Sequence, residues 1–95
     1  MHNYEEGDIV YSQENGKYYV SKIVKIEQVD GKGVWHRIMF KPAEHLPDAS
    51  EVDKLDVAIW HVPQAAKPDA VTFLVNQPVK PDDLKGYNTY LDAQA

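Results

Sequence analysis

His2, His36, His45 and His61 are the only histidines, and so the only side chains whose ordinary titration falls near neutral pH. His36 and His61 each follow a tryptophan inside an apolar run that reads as a strand. Neighbouring strands would let the two rings meet, with Asp56 or Glu44 as a carboxylate to complete a site. Zinc or iron needs three or four ligands at fixed geometry, and neither H-x-H nor H-E-x-x-H spacing occurs. The simpler reading is a pair of structural histidines on strand faces. Ser12, Ser21 and Ser50 lie in no Gly-x-Ser-x-Gly elbow, and the chain has no cysteine. Thiolate nucleophiles, thiolate metal sites and disulfides are thereby excluded. Asp82-Asp83 reads as the start of a helix and Glu5-Glu6 as a solvated terminus. Gly31-Lys32-Gly33 lacks the following Ser or Thr of a phosphate-cradling loop. The residues imply no cofactor and no metal, and the expectation is a protein that is not an enzyme.

The aromatics carry a different chemistry. Tyr4, Tyr11, Tyr18, Tyr19, Trp35, Trp60, Tyr87 and Tyr90 are many for a small domain. A core of this size takes several as bulky filler. Tyr18-Tyr19 and Trp35-His36, however, put adjacent side chains on opposite faces of a strand, so one of each pair points away from a single core. An outward aromatic beside acids is the composition of a protein-binding patch. The candidate patch is Tyr11, Tyr19, Trp35 and Phe40, rimmed by Glu14 and Glu44, and its acids call for a basic protein or peptide.

The chain has 95 residues and a formal charge of −5, with a single Arg. Residues 44–56 hold one Lys among five acids, which would repel phosphate, so the balance argues against nucleic acid. No window approaches the ~20 apolar residues that span a bilayer. The polar, acidic start is the opposite of a signal peptide, and the expected location is cytoplasmic. The length fits one domain, 1–95.

Three β-branched and aromatic runs, about 8–13, 17–28 and 34–41, are separated by Glu14-Asn15-Gly16 and Asp30-Gly31-Lys32-Gly33. That is the pattern of an antiparallel meander. The second run shifts phase: Val20, Val24 and Ile26 would share one face, and Tyr19 and Ile23 the other. A period-two strand buries both sets only if it bends, bulges or is covered on both sides. A fourth strand at 56–62 is apolar on both faces, which predicts a central, doubly covered strand with Trp60 buried under the C-terminal part. Four of the six prolines fall between Pro63 and Pro81, so 63–81 reads as a connection with a short strand at 71–75. Lys80-Pro81-Asp82-Asp83 starts a helix over 81–93, with Leu84, Tyr87 and Leu91 as its apolar stripe.

The order Gly7-Asp8-Ile9-Val10-Tyr11, Gly16-Lys17-Tyr18-Tyr19-Val20-Ser21-Lys22-Ile23 and Arg37-Ile38-Met39-Phe40 resembles the Tudor and chromo-like small barrels over residues 6–56. Glu51-Val52-Asp53-Lys54-Leu55 is similar to the acidic fourth segment of such domains. The resemblance implies a mainly β fold: a five-stranded, bent SH3-like barrel over 6–62 and the short strand, with the C-terminal helix packed on it. It also implies an aromatic cage for a methylated cation, with Tyr19 and Phe40 at the second- and third-strand positions. The other two cage positions fall on Glu14 and Ala43, which are not aromatic. Three functions remain open at this point. The first is a non-catalytic module that binds a protein or peptide. The second is a small acidic inhibitor or immunity-type protein that blocks a basic partner through residues 44–56. The third is a metal-assisted enzyme that uses His36 and His61.

Overall fold

Asn15-Gly16 and Asp30-Gly31 adopt φ of 52°, 78°, 53° and 77°, the positive pairs that a tight hairpin turn requires. They join β1 (Asp8–Glu14), β2 (Lys17–Val29) and β3 (Lys32–Phe40) into the antiparallel meander that the turn residues predict. The computed structural model describes residues 2–95. β4 (Val57–Ala65) pairs with β3, and β5 (Thr72–Asn76) pairs with β1, which gives one antiparallel sheet in the order β4-β3-β2-β1-β5. The two outer strands do not pair with each other, so the sheet is open and the expected barrel closure is not made.

The fourth strand is an edge, not the centre. It runs through Pro63, which lacks the N–H that a strand with two neighbours needs. Ile59 and Trp60 are correspondingly 53% and 38% exposed, so Trp60 is not the buried anchor that the apolar run suggests. Near-continuous hydrophobicity here reflects one face under the helix and an edge left open.

An extra residue at Val24, between the pairs Ile23↔Arg37 and Lys25↔His36, resolves the phase shift of β2. Before this bulge, Tyr18, Val20 and Lys22 share a face; after it, Lys25 and Glu27 continue that face and Ile26 crosses to the other, opposite Trp35. Both faces therefore carry a core. Ile9 and Val20 pack with Val52, Tyr11, Phe40, Leu55, Leu74 and Val75. On the other side Val10, Ile23 and Trp35 pack with Tyr4, Ile26, Ala66 and Val71.

Past β5 the chain turns through a 3-10 segment, Pro81–Leu84, into α1 (Lys85–Gln94). The helix is thus split, beginning four residues later than Pro81 suggests. The Asp83 carboxylate accepts from the Lys80 backbone N–H and from the buried Lys22 ammonium, both at 2.9 Å. Tyr87 is the buried residue of α1, whereas Leu91 is 42% exposed and leaves the expected stripe. No helix among the described residues is long and apolar enough to cross a membrane.

Gly86 sets how closely α1 approaches the sheet. A Cβ there would stand 2.7 Å from the Trp60 carbonyl oxygen and 2.9 Å from its Cβ. In a free helix Gly→Ala is favourable by about 1 kcal/mol. Here Gly86→Ala should destabilise by about 1–3 kcal/mol as the helix is lifted. Urea unfolding monitored at Tyr and Trp checks this, and a variant more stable than the parent would show that α1 is not seated on β4.

Candidate functional site

Val24 has a second consequence. By switching the phase of β2 it brings Glu27 to the face that carries His36, and an extra residue in β4 between Ile59 and Val62 lets His61 join them. His36 Nε2 lies 3.1 Å from Glu27 Oε1, and His36 Nδ1 lies 2.7 Å from His61 Nε2. Tyr87 of α1 donates its hydroxyl to the same Glu27 oxygen at 2.6 Å. Tyr90, one turn on, packs its ring 4.4 Å from His61. His36 and His61 stack 5.0 Å apart and 11° from parallel.

The protons follow from the partners. An ionised Glu27 only accepts, so His36 donates from Nε2 and presents a bare Nδ1 to the N–H of His61 Nε2. The hydrogen bond from Tyr87, with the charges on His36 and Lys25, holds Glu27 below the usual carboxylate range. The same bond, with desolvation, pushes the Tyr87 hydroxyl up to about 12. Burial depresses His36 below its ordinary 6.5 despite the neighbouring Glu27, and burial with the charge of His36 depresses His61. The chain Glu27–His36–His61 can fix tautomers and relay a proton. Its two imidazoles spend their facing nitrogens on each other, and no group of three His, Asp or Glu among the described residues is arranged to hold a metal ion.

A depression of about 410 Å³ lies on the opposite face, which α1 does not cover. Tyr19, Trp35, Arg37, Met39, Glu14 and Lys67 contribute to its lining. Trp35 is 5% exposed and packs against Ile23 and Tyr4. Arg37, the only arginine, donates from Nη1 to Ser21 Oγ at 3.2 Å and from Nη2 to Gln64 Oε1. Its Nε is buried without a partner, and desolvation lowers the guanidinium pKa. It forms no ion pair among the described residues.

Strand alternation divides the candidate patch. Tyr19, Trp35 and Glu14 meet in this depression. Tyr11 and Phe40 point to the other face, where both pack on the Ile9–Val20 core. Phe40 also lines a separate cleft of about 230 Å³ with Lys22 and Trp60. Glu44 is exposed beyond β3 and joins neither. A single patch of four aromatics does not form, because positions 11 and 19 lie on opposite sides of the β1–β2 pair. His36 and His61 do meet, directly, and the carboxylate beside them is Glu27, on His36, rather than Asp56 or Glu44. The Val24 phase change was the available signal for Glu27. Arg37 was legible too, since it shares a strand face with Trp35 and Met39.

The chain has no significant match among protein families, curated proteins or solved structures. The site is therefore judged on its own geometry.

The histidine pair makes stability depend on pH. The unfolded chain takes up protons near 6.5, whereas folded His36 and His61 resist them. The unfolded state then binds more protons, and stability falls as pH drops below 6.5. Buried His36 contributes at most about 1.4 kcal/mol per pH unit there. Urea midpoints should decline between about pH 7.5 and pH 5.5, and His61→Gln should flatten the decline. Midpoints that stay level would show that the pair is not desolvated.

Proposed function

We propose that this chain is a non-catalytic module, a Tudor-like relative of the small SH3-like barrels, that binds a protein or peptide on the sheet face that α1 does not cover. The observation that carries this reading is the depression at Tyr19, Trp35 and Met39, on the face opposite the one where α1 packs against β4. An aromatic beside a packed indole is the kind of site where a few side chains supply most of a binding energy. The charge of −5 and Glu14 at the rim steer a basic partner by long-range attraction. The lack of cysteine fits a reducing, cytoplasmic setting. The histidine chain supports a structural role, because Tyr87 and Tyr90 roof it and Glu27 ties it to α1.

A second reading rests on residues 44–56. Glu44, Asp48, Asp53 and Asp56 are exposed there, and Asp48 anchors the loop by accepting from Ser50 and from the Glu51 N–H. A fixed acidic loop suits a small inhibitor that blocks a basic protein.

Peptides selected against the folded chain separate the two. Tyr19→Ala should weaken them by about 2 kcal/mol, roughly 30-fold, chiefly through faster dissociation. Trp60→Ala, on the helix side, should leave binding unchanged. Glu14→Gln and Glu44→Gln should instead slow association and reduce its salt dependence. A folded Tyr19→Ala variant that binds like the parent would move the site to the acidic loop.

A further inference from the structure

We infer that the depression recognises a carboxylate on the bound segment, seated on Arg37; this rests on the peptide-binding reading and names the group that the site selects. The guanidinium is held in a fixed orientation by Ser21 and Gln64. Both are neutral acceptors, so the positive charge is oriented but not compensated. Desolvation already lowers the guanidinium pKa, and no carboxylate among the described residues stands within ion-pair distance. A partly buried cation without a counter-charge is unfavourable unless something brings one.

The chain's other deeply placed ionisable groups follow a different pattern. Lys22 has Asp83 at 2.9 Å, Asp8 has His2 at 2.9 Å, and His36 has Glu27 at 3.1 Å. Lys22 and Arg37 both line a cavity, but Lys22 has the Asp83 carboxylate beside it there and Arg37 has no carboxylate within ion-pair distance. A guanidinium offers five N–H donors in a planar fork, and the contacts above use two of them. That leaves donors for a planar acceptor of charge minus one, and a carboxylate matches the fork.

The surroundings decide between anions. Tyr19, Trp35 and Met39 give the anion an apolar neighbour, which suits a carboxylate carried next to a large side chain. Glu14 lines the same depression, and the net charge is −5, so a doubly charged phosphate or a polyanion meets repulsion. Lys67 at the rim adds a second cation within the same cavity. A basic partner supplies such a group from its C-terminus or from one acidic side chain, which keeps steering and seating compatible.

The test uses three small probes on the intact chain: N-acetyl-phenylalanine, its carboxamide, and phenyl phosphate. Binding is followed by the ¹⁵N-resolved signals of the Arg37 Nε–H and the Trp35 indole. The carboxylate should bind at least about tenfold more tightly than the carboxamide and shift the Arg37 signal, a difference typical of one charge-assisted contact. Phenyl phosphate should bind more weakly than the carboxylate. Arg37→Gln should abolish the preference for carboxylate over carboxamide, and Arg37→Lys should keep only part of it. Equal binding of carboxylate and carboxamide at Tyr19 and Trp35 would overturn the carboxylate seat while leaving peptide binding on this face intact. Tighter binding of phenyl phosphate would overturn the choice of anion. No shift at any residue of the depression with any probe would overturn both. The two phenylalanine probes decide the matter on the parent protein even if Arg37→Gln fails to fold.

Discussion

One extra residue, Val24, decides which side chains this sheet presents on each face. With strict alternation Glu27 would share a face with Tyr19 and Ile23, and Ile26 would share one with Val20. The bulge reverses both assignments, and it places Ile26 over Trp35 and Glu27 beside His36. The apolar core of one face and the polar cluster of the other thus depend on the same backbone irregularity. Strict alternation onward from the Ile23↔Arg37 pair would instead set Lys25 opposite Trp35, with Glu27 on the same apolar face and Ile26 turned away from it, an exchange unfavourable for the charged side chains and for Ile26 alike.

A thin sheet with two apolar faces needs cover from segments that are not strands, and buried polar groups select which segments provide it. Asp8, fully buried, accepts from His2, from the Glu5 N–H and from Asn76, which ties the N-terminal segment to the end of β5. Lys22 reaches Asp83 and the Pro78 carbonyl, and so seats the approach to α1. His36, through Glu27, holds Tyr87. Such contacts add little net stability over apolar packing, but each is costly to break by halves, so each enforces one arrangement. Arg37 departs from this pattern, with neutral acceptors on its guanidinium and no carboxylate within ion-pair distance.

The elements set by local chemistry were legible. Asn15-Gly16 and Asp30-Gly31 dictate their turns by conformation alone, and Pro81 with two acids announces a helix within a few residues. What failed were judgements that depend on how many neighbours a strand has. Asp56 to Val62 looks like a buried central strand because both faces are apolar, yet whether a strand lies at an edge is decided by pairing across distant sequence. Pro63 was the local warning. The aromatic patch failed for a related reason: Tyr11 and Tyr19 sit opposite one another in chain direction but on different faces once the register Tyr11↔Val20 is fixed. The face of Arg37 was legible from strand alternation, but its lack of a counter-charge was not, because that depends on neighbours from other strands.

An open sheet offers a partner two routes, along an edge strand or onto a face, and the edges here are obstructed. β5 is five residues long and carries an irregular register against β1. β4 is longer, but Pro63 interrupts its row of donors, and two register shifts break the regular spacing that an added strand would need. The exposed Trp60 on that edge is already engaged, with the Lys85 ammonium 3.8 Å above its ring centre. Edge addition also reads backbone and is indifferent to a guanidinium on the face. The face, by contrast, holds a cavity, an aromatic wall and an uncompensated charge in one place. Under the proposed function, recognition therefore falls to side chains on the face, where a single charged group discriminates among partners.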